Sequence, residues 1–281
     1  MASSWLYACT PAPTIPIEEA SGIALLASVV LDGIPENAAL GVALIGAANP
    51  LALLLAIFAS NFPEALDGAE YVVDGGNSHF EESTRRADET PAAYLDCGTS
   101  GGPAGAHLGF SLMVGGPEWA YEELVPVFDA VATGPDGHDR MGPAGSGHYV
   151  KMVHNGVEYA LMQAYGEGFE LLAEGRYDLD LEAVSRTWNN GAVIRSWLLE
   201  LCEEAFRDEG NDLGDVADHV AGGSTGTWTV QEALEQEVPV PLIYQALSER
   251  FGSRAPEEGR FARRLANRLR YGFGRHEVQR R

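Results

Sequence analysis

Short apolar runs alternate with amphipathic stretches in the part of the chain that begins near residue 71. The apolar runs are rich in Val, Leu, Tyr and Met, and they lie at 71–74, 93–97 and 110–114. Each run ends in a glycine-rich turn, and the stretches at 79–89 and 117–131 have helical periodicity. Strands that alternate with helices and close on glycine-rich loops predict an open α/β sheet with ligand-binding loops at its edge.

The pattern changes at residues 142–147, which read Gly-Pro-Ala-Gly-Ser-Gly. No later segment has strand periodicity. Helices are predicted at 146–174, 179–207, 212–221, 229–236, 239–252 and 259–271. The sequence therefore predicts an α/β Rossmann-like domain over 1–145, followed by an all-α domain over 146–281.

The first seventy residues differ from the rest, since no residue before His79 is basic. The uncharged stretch at 38–59 is about 20 residues long, the length needed to cross a bilayer. Asn49 and Pro50 interrupt it, so a buried strand, turn and helix is the preferred interpretation. A dinucleotide-binding half is expected to open with Gly-x-Gly-x-x-Gly, but the strand-and-turn pattern at 41–46 has only one glycine of that fingerprint. Residues 1–70 are therefore interpreted as an atypical N-terminus.

Charge and cysteine content narrow the classes of function. The 281 residues include 41 acidic and 18 basic ones, giving a net charge of −23 that argues against a nucleic-acid partner. An acidic, lysine-poor surface suits a protein that works at high salt. The three cysteines, Cys9, Cys97 and Cys202, have no metal-binding spacing and predict a reduced, cytoplasmic protein. The N-terminus lacks the positive region of a signal peptide, and no membrane association is expected.

Lys151 is the only lysine in the chain, and arginine supplies the remaining basic residues. Arginine carries charge but keeps its proton at physiological pH, whereas a buried lysine can lose it. The single lysine is therefore a candidate for chemistry that needs a neutral amine. The alternative is an ordinary lysine on a helix face.

Lys151 belongs to a polar stripe on the long predicted helix. Asn155 and Glu158 follow it at i+4 and i+7, so the three side chains share one face. His154 flanks Asn155, and Tyr159 follows Glu158. A base, an amide and an acid on one face, opposite the glycine-rich loops, form a candidate acid/base site. The alternative is a solvated helix face.

Five ordered motifs resemble the 6-phosphogluconate dehydrogenase family. They are Asp-Gly-Gly-Asn-Ser at 74–78, Gly-Thr-Ser-Gly-Gly at 98–102, Leu-Met-Val-Gly-Gly at 112–116, Gly-Ser-Gly-His-Tyr-Val-Lys-Met-Val-His-Asn-Gly-Val-Glu-Tyr at 145–159, and Arg-Tyr-Gly-Phe-Gly-Arg-His at 270–276. The resemblance covers residues 71–276 and fits the short form of the family, which lacks a duplicated helical domain. It implies oxidative decarboxylation of 6-phosphogluconate to ribulose 5-phosphate and CO2, a pentose phosphate pathway reaction that reduces NAD or NADP.

The resemblance also implies catalytic roles. Lys151 would take the proton from the C3 hydroxyl of the substrate and then, protonated, polarise the resulting ketone. Glu158 would protonate the enediol at C1 after CO2 has left. His154 and Asn155 would orient the C3 oxygen, and Asn77 would lie between the nicotinamide and the substrate.

The binding residues follow from the same motifs. Ser100, Gly101 and Gly102 would hold the sugar-acid end of the substrate. The phosphate would be held by Tyr159, Thr229, Arg250 and Arg270, with His276 closing the site. In the family, Arg270 and His276 correspond to a tail that reaches into the partner subunit, so a homodimer with shared sites is implied. Thr227 stands where the longer members have a lysine, which removes one phosphate contact.

Two other functions remain open at this stage. A 3-hydroxyacid dehydrogenase of the same superfamily would share the Ser-Gly-Gly and Met-Val-Gly-Gly motifs and the Lys/Asn helix. A non-catalytic remnant would explain the missing dinucleotide fingerprint. The segments at 154–159 and 273–276 favour 6-phosphogluconate dehydrogenase. The choice between NAD and NADP belongs to residues of the missing fingerprint region.

Overall fold

The computed structural model describes residues 44–45, 52–53, 71–254, 260–278 and 280. Two short strands, β1 (Leu44–Ile45) and β2 (Ala52–Leu53), pair in antiparallel fashion. The interpretation of 1–70 as an atypical N-terminus otherwise lies outside the described residues. In the part of the chain that the structure describes, no helix is long and apolar enough to span a bilayer.

Among the described residues, the main sheet has four strands in sequential order: β3 (Tyr71–Asp74), β4 (Ala93–Ser100), β5 (Ser111–Gly115) and β6 (His138–Gly142). The helices of this part are α1 (Phe80–Glu89), α2 (Gly105–Leu108) and α3 (Glu118–Val131). β4 runs parallel to β3 and antiparallel to β5, and β6 runs parallel to β5. The three strands and two longer helices predicted from the sequence are confirmed.

The strand β6 was not predicted, because its residues read His-Asp-Arg-Met-Gly and lack an apolar run. Its positions alternate between half-buried and exposed, as expected for the edge of a sheet. The Arg140 side chain turns back and donates from Nε to the carbonyl oxygen of Gly116 at 2.8 Å. The apolar faces of the inner strands pack against α3, where Leu95, Val114 and Phe128 are buried.

All helices that follow the sheet belong to one helical layer around α4 (Ser146–Ala173), which is 28 residues long. They are α5 (Leu181–Asn189), α6 (Trp197–Glu209), α7 (Ser224–Glu235), α8 (Pro241–Gly252) and α9 (Phe261–Gly274). α4 contacts α7, α8 and α9, and Met162, Phe169 and Leu265 are buried in the shared core. The fold class predicted from the sequence, a Rossmann-like part followed by an all-α part, is confirmed.

Two helix predictions in this layer were wrong. The segment predicted as one helix over 179–207 is two helices, because the chain turns at Gly191, where φ is +108°. The second helix restarts at Ser196, whose side chain accepts a hydrogen bond from the Leu199 amide. The segment 212–221 contains no helix. It is a turn in which Leu213 adopts a φ of +49° and Val216 is buried in the helical core.

The N-terminal part of α4 lies directly on the sheet because glycines face each other there. A Cβ built at Gly98 would lie 2.4 Å from the Cβ of Lys151, and one at Gly147 would lie 2.3 Å from the Met113 carbonyl oxygen. Real atoms do not approach this closely, so any side chain at these glycines would push the helix away. The absence of side chains therefore brings the polar stripe of α4 next to the loop that ends β4.

Candidate active site

A cavity of about 840 Å³ lies where the ends of β3 and β4 meet α4 and the C-terminal tail. The predicted site residues that line it are Asn77, Ser100, Gly101, Gly102, Lys151, His154, Asn155, Glu158, Tyr159, Arg250, Arg270 and His276. Two loops of the sheet, one face of the long helix and the tail thus come together around one space. The volume exceeds the size of a sugar-acid phosphate and leaves room for a second ring-sized group.

The amine of Lys151 lies inside this cavity. Burial lowers the pKa of Lys151 below its ordinary value, and the nearby Glu158 carboxylate opposes that shift only in part. The Lys151 Nζ atom is 3.3 Å from His154 Nδ1. A lysine with a lowered pKa can lose its proton and act as a base near neutral pH.

His154 connects α4 to the loop that ends β4. Its Nδ1 is 3.0 Å from the Asn155 Oδ1 atom, and its Nε2 is 3.3 Å from the Ser100 hydroxyl. Burial and the adjacent Lys151 lower the pKa of His154 to about 4, so the imidazole is neutral at physiological pH. Because the Asn155 oxygen can only accept, Nδ1 carries the proton in this arrangement and Nε2 accepts from Ser100.

Two buried guanidinium groups also line the cavity. Arg250 is 5% exposed and Arg270 is 4% exposed. The Arg250 guanidinium carbon lies 3.6 Å from the centre of the Tyr159 ring, a cation–π contact that fixes its plane. Paired guanidiniums in a desolvated wall suit a phosphate dianion, which they can bind in bidentate fashion.

Thr229, which was predicted to hold the phosphate, does not line the cavity. Its hydroxyl lies 2.8 Å from the carbonyl oxygens of both Met152 and Thr225, so it donates to the backbone. Thr225, one helical turn earlier, lines the cavity instead, with its hydroxyl 3.4 Å from the Tyr159 hydroxyl. The sequence alternates Thr and other residues over 224–229, and spacing alone could not choose between the threonines.

The C-terminal tail contributes to the same cavity. Arg270 and His276, which the family resemblance assigns to the partner subunit's site, line the cavity of their own chain. The reason is that α9 packs along α4, which directs the following tail back over the sheet. Phe273 and Gly274 accompany them in the cavity wall.

The loop that carries Asn77 is held from below by the buried carboxylate of Asp74. This carboxylate accepts from the Gly76 amide at 3.0 Å and from the Ser78 hydroxyl at 3.1 Å. Arg86 donates to it at 2.9 Å. Burial opposes ionisation, but His148, the hydrogen bonds from the Tyr94 hydroxyl and the Gly76 amide, and the charge of Arg86 outweigh it, so the pKa of Asp74 is lowered. Ser78 belongs to this network, and the N-cap of α1 is His79, whose side chain accepts a hydrogen bond from the Glu81 amide.

The cavity has an apolar wall that the sequence analysis did not single out. It includes Val157 of α4, Trp197 and Leu198 of α6, and Phe110, which follows α2. Val157 is 46% exposed and Trp197 is 39% exposed, so this wall continues onto the surface. Apolar residues at helical spacing, such as those of α4, are typical of a buried core. The sequence therefore gives no sign that this side of α4 borders a polar site.

Two family models match the chain in sequence order. The NAD binding domain of 6-phosphogluconate dehydrogenase matches residues 48–145. The C-terminal domain of 6-phosphogluconate dehydrogenase matches residues 147–278. The NAD-dependent, decarboxylating 6-phosphogluconate dehydrogenase of Haloferax volcanii is 86% identical over 215 residues, covering 76% of this chain and 71% of the relative.

Solved structures agree with these matches. A Plasmodium falciparum 6-phosphogluconate dehydrogenase, solved in its apo form and with NADP+ or 6-phosphogluconate, is 31% identical with a TM-score of 0.63. The match covers 72% of this chain and 47% of that one. A 3-hydroxyisobutyrate dehydrogenase from Salmonella typhimurium, at 21% identity and a TM-score of 0.55 over 70% of this chain and 68% of its own, shows a shared fold alone. The chain therefore belongs to the 6-phosphogluconate dehydrogenase family.

Proposed function

We propose that this protein oxidises and decarboxylates 6-phosphogluconate to ribulose 5-phosphate and CO2, with reduction of NAD or NADP. The observation that carries the proposal is the cavity itself. In it, a lysine whose pKa is lowered lies on the same helix face as Glu158, and the Ser100 loop and two buried arginines line the same space. This arrangement supplies a base, an acid and a phosphate-binding wall within one enclosed space.

Lys151 and Glu158 divide the proton transfers between them. Neutral Lys151 takes the proton of the C3 hydroxyl while a hydride leaves C3, which becomes a ketone. Protonated Lys151 then donates a hydrogen bond to the ketone oxygen, so that the electrons of the departing CO2 are drawn into an enediol. As CO2 leaves, the ketone oxygen takes the Lys151 proton, which completes the enediol. Glu158 then protonates the enediol at C1 while neutral Lys151 takes back the hydroxyl proton, which yields the ketose. Burial supports the first step, because it favours the neutral amine.

The remaining residues orient the substrate. The Ser100 hydroxyl and the backbone of Gly101 and Gly102 face the sugar-acid end, and neutral His154 keeps Ser100 in place. Asn155 lies beside His154 and faces the C3 oxygen in this proposal. Tyr159, Thr225, Arg250, Arg270 and His276 surround the phosphate. Thr225 lines the cavity one helical turn before Thr229, the threonine that the sequence analysis predicted to contact the phosphate.

The described residues fit the nicotinamide end of the cofactor. Gly75, Gly76 and Asn77 follow a buried strand and line the cavity beside the Ser100 loop, where the edge of an α/β sheet binds such groups. Bound NAD or NADP would supply the hydride acceptor. We assign residues 1–145 to the cofactor-binding domain, whose Ser100 loop also faces the substrate, and residues 146–281 to the helical substrate-binding and dimerisation domain. The 48–145 match to the NAD-binding family model supports the first assignment.

A homodimer is part of this proposal, and the apolar wall supports it. Val157, Leu161 and Trp197 are each more than a third exposed, at 46%, 44% and 39%, and they lie together at the mouth of the cavity. Contiguous exposed apolar surface of this kind marks protein interfaces. A second copy on this wall would cover the site without supplying Arg270. We place the protein in the cytoplasm, where the free, buried Cys97 and Cys202 would stay reduced.

The Lys151→Arg variant tests the function. Arginine keeps the charge but cannot become neutral, so kcat should fall by about 100-fold or more. Binding of 6-phosphogluconate, measured by calorimetry, should change little. Arg176→Lys, an exposed exchange of the same kind, is the control and should keep wild-type turnover. Near-normal turnover of Lys151→Arg would remove the base assignment. A wild-type protein that binds the substrate and never reduces NAD or NADP would be the non-catalytic remnant.

A further inference from the structure

Asp96, in the middle of β4, is fully buried and does not line the cavity. Its Oδ1 atom accepts a hydrogen bond from the Gly145 amide at 2.6 Å, and its Oδ2 atom accepts one from the His148 amide at 2.7 Å. These amides belong to the start of α4, where the capping position Gly145 has no side chain to accept them. Asp96 therefore caps α4 from another element of the fold.

The two elements that this carboxylate joins are those that carry the proposed chemistry. β4 continues from Asp96 to Ser100, where the substrate loop begins. α4 continues from His148 to Lys151 and His154. The Asp96 carboxylate thus connects the helix that carries Lys151 to the strand that leads into the Ser100 loop, at a point outside the cavity.

The surroundings of Asp96 leave it little freedom to move. A Cβ built at Gly115 would lie 2.4 Å from Asp96 Oδ1, and one at Gly147 would lie 2.6 Å from the Asp96 carbonyl oxygen. On the other side, His148 Nδ1 is 4.0 Å from Asp96 Oδ2 and 2.6 Å from the Ser83 hydroxyl of α1. Backbone on one side and a buried imidazole on the other therefore fix both oxygens.

We propose that Asp96 is a positioning residue for the reaction, which sets the placement of Lys151 relative to the Ser100 loop. It touches neither the substrate nor the cofactor and acts through the first turn of α4. The role needs a carboxylate, because two acceptors must meet two amides at the positive end of a helix 28 residues long. An amide side chain has one acceptor and would place its NH2 group against the second N–H. The inference rests on the proposed function.

The test compares Asp96→Asn with the wild type at a temperature well below both melting points. A displacement of about 1 Å in reacting groups can cost about 100-fold in rate, so kcat should fall by about 10- to 100-fold while KM changes little. Leu124→Val, in the buried core of α3 on the same sheet, is the control for lost stability. It should lower the melting temperature and keep kcat.

A second readout does not depend on turnover. Because Lys151 is the only lysine, its acylation by acetic anhydride can be followed by mass spectrometry of one peptide across a pH series. In Asp96→Asn the reaction midpoint should move up toward the ordinary lysine value of about 10.4, since the displaced amine is less buried. If the wild type shows no turnover, the proposed function fails and the acylation midpoint alone decides about Asp96.

A kcat of Asp96→Asn equal to that of the wild type would overturn the proposal. If the wild type shows no turnover, an acylation midpoint of Asp96→Asn equal to that of the wild type would overturn it. The proposal would also be overturned if Leu124→Val lost as much kcat as Asp96→Asn while the melting temperatures of the two variants fell equally. If neither Asp96→Asn nor Asp96→Ser folds while Leu124→Val does, the carboxylate is required for folding and the positioning role is rejected.

Discussion

The carbonyl oxygen of Phe273 occupies the position that a side chain at Gly102 would need. A Cβ built at Gly102 would lie 1.8 Å from that oxygen, and the Gly102 backbone has a φ of +53°. The substrate loop of the sheet and the C-terminal tail therefore meet backbone to backbone. This contact closes the cavity on one side within a single chain.

Gly102→Ala should separate the loop from the tail. The new methyl group cannot coexist with the Phe273 carbonyl, so Arg270 and His276 should withdraw from the cavity. We expect the affinity for 6-phosphogluconate to fall by at least about 10-fold, or about 1.4 kcal/mol, in calorimetry. Gly134→Ala is the matched control, since a Cβ there meets no atom within 4 Å, and it should bind like the wild type. Unchanged affinity in Gly102→Ala would show that the tail is not needed for binding.

Each chain should need its own Arg270. The structure places Arg270 and Lys151 in one cavity of one chain, so a mixture of Lys151→Ala and Arg270→Ala subunits contains no site with both residues. Activity of the mixture should stay at the level of the single variants, even when differently tagged subunits are shown to have exchanged. Recovery of activity would instead mean that the tail crosses to the partner.

His154 should make folding stability depend on pH. Its pKa is about 4 in the folded state and about 6.5 in an unfolded chain, so between these values the unfolded state binds more protons. The free energy of unfolding should therefore fall as the pH drops from about 6.5 to 4, by up to about 1.4 kcal/mol per pH unit from this residue.

Urea unfolding at pH 7, 6 and 5 measures this contribution. His154→Gln should flatten the pH dependence relative to the wild type, because glutamine does not titrate. His107→Gln, on the exposed face of α2, should leave the pH dependence in place. Equal slopes for the wild type and His154→Gln would contradict the assigned pKa.

Stability should also rise with ionic strength. A net charge of −23 creates repulsion among carboxylates that salt screens over about 3 Å at 1 M. The melting temperature should therefore increase from low to molar KCl. A flat response would show that the exposed ion pairs, such as Arg85 with Glu82 and Glu89, already balance the repulsion at low salt.

Hydrophobic periodicity predicted most of the described elements, and its failures have physical causes. The strand β6 was not predicted because an edge strand is not buried on both faces and so does not need apolar residues. The helix predicted at 212–221 failed because buried positions such as Leu213 and Val216 belong to a turn packed on the helical core. Burial alone does not distinguish a compact turn from a helix.

The site could be predicted by motif but not in its details. Residues on one helix face, such as Lys151 and Glu158, were placed together because helical spacing is fixed. Which threonine lines the cavity depends on which hydroxyl donates a hydrogen bond to the backbone of α4, as Thr229 does to the Met152 carbonyl oxygen and Thr225 does not. The sequence pattern does not indicate this. The route of the tail likewise depends on how α9 packs on α4, a tertiary contact.

The seam between sheet and helix, formed where Gly98, Gly115 and Gly147 meet, has a consequence for engineering. A side chain added there would strike the Lys151 Cβ, the Asp96 carboxylate or the Met113 carbonyl oxygen, so substitution of these glycines cannot be used to adjust the space above them. A protein engineer who wants this scaffold to accept a longer or shorter acid must leave the seam unchanged. The adjustable parts are side chains that border the cavity, such as Thr225 in the first turn of α7.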